Sequence, residues 1–136
     1  MSDFNQQVIE EFRGNGGIVG GPFAGAPMIL VTHTGAKSGT VRTTPLACSR
    51  DGDDVVIIAS MGGAPTHPQW YHNMIANPEV GVEIGTDSYR ATVTEATGAE
   101  RDRLFAAQAA IMPNFDEYQA KTSRLIPVLV LRRIEG

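Results

Sequence analysis

Cys48 is the only cysteine among 136 residues, so an internal disulfide framework is excluded. The three histidines, His33, His67 and His72, share no spacing that would ligate a metal with it, and none is assigned a role. No Ser/His/Asp set and no pair of carboxylates presents itself for hydrolysis. A basic surplus is missing as well. Eleven Lys and Arg stand against fifteen Asp and Glu, a net charge of −4, and a field of that sign argues against nucleic acid as a partner. Long apolar runs are absent too: the N-terminal stretch carries Asp3, Glu10 and Glu11 and reads as neither a signal peptide nor a membrane span. The cytoplasm is therefore the expected compartment, with peripheral membrane contact compatible.

What is present suits one globular domain over residues 1–136, with 42% hydrophobic and 19% charged residues. Phe4, Val8 and Phe12 recur at helical spacing behind Ser2 or Asp3 as N-cap, which predicts a short amphipathic helix. Glycines crowd the segment from Gly14 to Gly25, a connector or a lid. Strands are expected at Met28 to His33, Val41 to Ser49, Asp54 to Ala59, Val80 to Ile84, Tyr89 to Ala96 and Ile126 to Ile134. The Asp54 to Ala59 run is the most apolar and should be buried on both faces. Helices are expected from Pro68 to Asn77, from Gly98 or Ala99 to Ile111, and over a short segment that Asn114 caps. Antiparallel neighbours without βαβ repeats predict an α+β fold whose sheet curls into a small barrel.

Two segments carry chemistry. Lys37 and Arg42 flank the glycine-bounded turn from Thr34 to Gly39, an anion clamp to which backbone N–H groups add dipoles. The segment lacks the order of a nucleotide P-loop. Ser60, Met61, Gly62 and Gly63 follow the most buried strand, where small residues let a flat ring approach the backbone. Trp70 serves either that ring or the core, and Asn73 lies on about the same helix face with an amide that donates and accepts. Tyr118 either packs or closes over a planar ligand and supplies a hydroxyl. Cys48 reads as a small buried hydrophobe.

Three ordered motifs match a known family. They are Thr34-Gly-Ala-Lys-Ser-Gly with Arg42-Thr-Thr-Pro-Leu46, Ala59-Ser-Met-Gly-Gly with Pro68-Gln-Trp-Tyr-His-Asn73 and Ala76-Asn-Pro78, and Arg124-Leu-Ile-Pro-Val128. From about Met28 to Arg132 the chain resembles the deazaflavin-dependent nitroreductases, coenzyme F420-dependent reductases built on a split β-barrel. The resemblance implies that Ala36, Lys37 and Ser38, with Arg42, Thr43, Thr44 and Pro45, hold the phosphate and polyglutamate tail of the coenzyme. By the same resemblance Ile58, Ala59, Ser60 and Met61 line the deazaflavin together with Gln69, Trp70, Tyr71, His72 and Asn73. Phe115 and Tyr118 fall in the helix that borders the acceptor pocket. Met61 stands where relatives have a lysine, and Ala47, Met112 and Phe115 replace tyrosines around the pocket.

The activity implied is hydride transfer from reduced deazaflavin to a small electron-poor acceptor, a quinone, an enone or a nitroaromatic, with Tyr118 or solvent returning a proton. An FMN-dependent reductase and a non-catalytic deazaflavin carrier or sensor are the alternatives, and pairing into a homodimer is compatible with all three.

Overall fold

A computed structural model describes residues 2–18, 20, 27–60, 63, 64 and 66–134, with backbone alone for 2–5. In chain order the elements are α1 (Ser2–Gly14), β1 (Met28–Thr34), β2 (Val41–Asp51), β3 (Asp54–Ile58), α2 (Gln69–Ala76), β4 (Glu79–Ile84), β5 (Asp87–Ala96), α3 (Gly98–Ile111), α4 (Asn114–Lys121) and β6 (Val128–Arg133). The six strands close into a barrel in the order β1-β2-β3-β6-β5-β4, and every neighbouring pair is antiparallel. The α+β split-barrel expectation is borne out.

The period of two along each strand sorts the side chains. Val55 and Ile57 of β3 point into the barrel with Ile29, Val31, Cys48, Val82, Leu129 and Leu131, and Met74 of α2 joins this cluster. Val56 and Ile58 point outward against Leu104, Phe105, Ala109 and Phe115 of α3 and α4. That is why β3 reads as a continuous apolar run: both of its faces are covered. A third cluster seats Val8, Ile9 and Phe12 of α1 on Met28 and Leu30. Each such buried side chain contributes roughly 1.5–3 kcal/mol. Cys48 is buried, and desolvation pushes its thiol up to about 11, so it is an inert hydrophobe as expected.

Most strand ends shift by one or two residues, and three boundaries differ for a visible reason. Asn114 does not cap α4, because Pro113 precedes the helix and no side chain bonds its first turn. The Asn114 amide instead donates to the Tyr118 hydroxyl at 2.8 Å. The last strand starts at Val128 rather than Ile126, since Gln119 and Arg101 side chains take the Ile126 N–H and C=O. Pro127 has no N–H to offer, and its carbonyl accepts from Ala59 at 2.9 Å just where β3 ends, one residue before the expected Ala59. Ser2 and Asp3 fall within α1 rather than ahead of it; their side chains, that of Phe4 and half of the 14–25 segment read as a connector or a lid lie outside the described residues.

Candidate active site

Strand registers bring the two chemistry-bearing segments to one end of the barrel. β1 ends at Thr34 opposite Val41, β3 ends at Ile58 opposite Val128, and Ala96 lies on the other side of Val128. The 35–40 turn, the loop after β3, α2 and the segment before β6 therefore share that end. The opposite end carries the β2–β3 and β4–β5 turns. Two cavities lie there, about 250 Å³ beside Arg13 and Glu83 and about 220 Å³ beside Arg50, Tyr89 and Arg133; none of the expected site residues lines either.

In the turn, Gly35 N–H donates to the Thr40 carbonyl at 2.8 Å and Gly39 N–H to the Gly35 carbonyl at 3.1 Å. Gly39 has φ +71°, a conformation that favours glycine. Thr40 N–H is taken by Ser38 Oγ at 3.1 Å and Ala36 N–H by Asn73 Oδ1 at 3.0 Å. Four of the turn's amides are thus engaged inside the protein. The side chains of Lys37 and Arg42 and the amides of Lys37 and Ser38 are the turn's groups without such a bond among the described residues.

The cations divide into paired and unpaired ones. Arg13, Arg90, Arg101, Arg103, Arg132 and Arg133 each have a carboxylate within ion-pair distance. Among the described residues Lys37, Arg42, Arg50, Lys121 and Arg124 have none; of these Lys37 and Arg42 are exposed beside the 35–40 turn, and Arg50 lies at the opposite end. Arg42 lies opposite His33, and Thr44 opposite Val31, on the barrel-facing side of β2. Thr43 and Pro45 alternate to the outer side, where Thr43 meets Thr32 at 2.9 Å. The four residues Arg42 to Pro45 therefore serve two different faces.

α2 caps the barrel end. Its Asn73 is 2% exposed; Oδ1 accepts from Ala36 N–H and from Gln69 Nε2 at 3.1 Å, and Nδ2 donates to His33 Nδ1 at 3.2 Å. The amide expected to meet the ring is thus largely committed to protein partners. Trp70 packs partly buried on the barrel core, Gln69 and His72 are exposed, and the Tyr71 hydroxyl donates to Glu95 at 2.8 Å. Burial, reinforced by Glu95, pushes the Tyr71 phenol up to about 12.

The loop after β3 is shaped by Arg124. Its guanidinium donates to the carbonyls of Ala64 at 2.8 Å, Ala59 at 3.2 Å and Ser60 at 2.7 Å, and to His67 Nδ1 at 2.8 Å. Desolvation, then Arg124 and His72, lowers the His67 pKa. Ile58 and Ala59 are buried, so these positions offer backbone rather than side chains; Met61 lies outside the described residues. Gly63, at φ +84°, packs on α4, where an added Cβ would stand 2.8 Å from the Tyr118 carbonyl and 3.0 Å from Lys121 Cβ. Tyr118 is half-buried beside this loop, its ring edge-on to Phe115 at 5.7 Å, while Phe115 itself is core.

Sequence reasoning left Arg124, His33, His67 and Lys121 without roles. Arg124 stood in a quoted motif, which was its only signal; the others had none.

A family model described as F420H(2)-dependent quinone reductase matches residues 5–133. The chain belongs to that family. An F420H(2)-dependent quinone reductase of Mycobacterium tuberculosis is 41% identical over 90% of this chain and 85% of its own length. A solved F420-H2-dependent reductase, FDR-A, shares 41% identity and a TM-score of 0.73 over 78% of this chain and 94% of its own. A solved domain-swapped dimer is 36% identical with a TM-score of 0.74, covering 96% of each chain. The heme storage protein HutZ of Vibrio cholerae, at 11% identity and TM-score 0.63, shares the fold alone. Family membership thus agrees with the resemblance carried by the three motifs.

Proposed function

We propose that this quinone reductase family member binds reduced coenzyme F420 across the turn and the loop after β3, and passes its hydride to a quinone. The observation that carries this reading is the pair of exposed cations, Lys37 and Arg42, left without carboxylate partners beside a loop whose backbone Arg124 holds in shape. Such cations suit an anionic tail. The small residues of the loop after β3 are compatible with a flat ring at this end: Gly63 packs closely on α4, and Ile58, Ala59 and Ser60 are buried.

Bound reduced deazaflavin would supply the hydride. The chain's own part is to orient the two planes and to hold a proton. Tyr118 Oη accepts from Asn114 Nδ2 at 2.8 Å, so the phenol keeps its own proton to donate to the acceptor oxygen. Hydride plus proton converts a quinone to its hydroquinone, and enones and nitroaromatics are further acceptors of the same electronic kind. Orientation supplies much of the acceleration where no strong acid–base dyad is present.

Pairing of two copies belongs to the same reading, supported by the domain-swapped relative. So does contact with a lipid surface, supported by Val41 and Leu125, which are 64% and 66% exposed at the site end; no helix among the described residues is long and apolar enough to cross a membrane. Anaerobic oxidation of F420H2 by the purified protein with menadione tests the activity. Acceptor-dependent loss of the reduced coenzyme is the expected result; binding without oxidation of menadione or any other quinone would make the protein a carrier.

A further inference from the structure

The amide of Asn73 has one orientation that fits its neighbours. Ala36 N–H can only donate, so Oδ1 must face it; Nδ2 then faces the imidazole, and Nδ1 of His33 must accept. A neutral imidazole with Nδ1 bare carries its proton on Nε2, which lies 2.9 Å from Thr44 Oγ1 and donates to it. His33 and Asn73 are each 2% exposed, so water does not substitute for these bonds. The chain of contacts runs from the barrel wall through an imidazole and an amide to the backbone of the turn that carries Lys37.

We propose that His33 and Asn73 form a buried positioning pair that holds the 35–40 turn, and with it Lys37, in place for an anionic ligand. Protonation of His33 would release it. A second ring N–H at Nδ1 would confront the Asn73 NH2 group, donor against donor, and turning the amide over to relieve this would set that NH2 against Ala36 N–H and Gln69 Nε2. No carboxylate among the described residues offsets the charge. From β2 the facing groups are Arg42 and Thr44, and from α2 they are Asn73 with Gln69 behind it. On β4, Glu79 and Glu83 are engaged by Arg90 and Arg13. Desolvation first, then Arg42, lowers the His33 pKa accordingly.

The pair bears on the proposed function only through the identity of the ligand. The test is therefore amide exchange at Ala36 in the ligand-free protein, corrected for intrinsic rates, alongside fluorescence titration with F420, for wild type, His33→Gln and His33→Leu. His33→Gln keeps an acceptor and a donor and should preserve both readouts. His33→Leu should lose Ala36 protection and F420 affinity, each about tenfold, with β3 amides unchanged. Retained Ala36 protection in His33→Leu overturns the proposal. Should that variant fail to fold, wild type decides: loss of Ala36 protection on acidification to about pH 5, with β3 protected, supports the pair, and steady protection while NMR shows His33 charging overturns it. Protection that behaves as expected with no F420 binding at all would remove the coenzyme assignment and leave the pair standing.

Discussion

Arg124 Nη2 lies 2.7 Å from the carbonyl oxygen of Ser60, and the same guanidinium reaches the carbonyls of Ala59 and Ala64. One side chain thereby sets the course of the loop that follows the most buried strand. Arg124→Ala should leave three carbonyls short of a donor and cost about 2–4 kcal/mol, with coenzyme affinity falling in the same protein. Arg124→Lys should recover only part, because an ammonium cannot span the same fork of acceptors. Chemical denaturation together with F420 titration checks both; unchanged affinity in Arg124→Ala would remove the loop from the site.

Gly63→Ala should be disproportionately harmful for one methyl group. It opposes a φ of +84° and drives a Cβ to 2.8 Å from the Tyr118 carbonyl. A loss of roughly 2 kcal/mol or more in thermal or urea unfolding is expected; a change near zero would mean that the loop does not pack on α4.

Lys37→Ala and Arg42→Ala should each weaken F420 binding, by about three- to tenfold at low salt, with the defect shrinking toward about 1 M salt. Double substitution should weaken binding further than either single change. Equal affinities for wild type and variants at low ionic strength would discard the clamp.

Tyr118→Phe removes the hydroxyl that Asn114 contacts while leaving the edge-on packing with Phe115. Quinone turnover should fall at least about tenfold, with little change in F420 affinity and under about 1 kcal/mol in stability. Full turnover would assign the proton to solvent and the ring to packing.

Acid should destabilise the fold through His33 and His67. Burial, with Arg42 near the first and Arg124 near the second, lowers both pKa values from 6.5. The unfolded chain then binds more protons than the native one, so stability is complete above the ordinary histidine pKa and declines as pH falls below it. Melting temperature measured from about pH 8 to pH 5 should drop across that window, and His33→Gln should shallow the slope.

The barrel was legible because each strand announces itself locally: β3 as a short apolar run, β4 and β5 as alternation around a turn. The start of β6 was not, since side chains of Gln119 and Arg101 claim the Ile126 backbone and Pro127 breaks the ladder. That Lys37 and Arg42 lie near each other was legible for the same local reason, since one turn joins them. The devices that hold the site were not. His33 finds Asn73 across 40 positions and Arg124 finds its carbonyls across 60 to 65, contacts that leave no periodicity in the chain. Asn114 looked like a cap because its type favours caps; its amide found a better partner in Tyr118.

The most direct measurement is an equilibrium titration of the protein with F420 beside FMN, at low and high salt. The proposed function expects preferential F420 binding that weakens with salt and is impaired by Lys37→Ala and Arg42→Ala. Preference for FMN, or F420 binding indifferent to both substitutions, would contradict it.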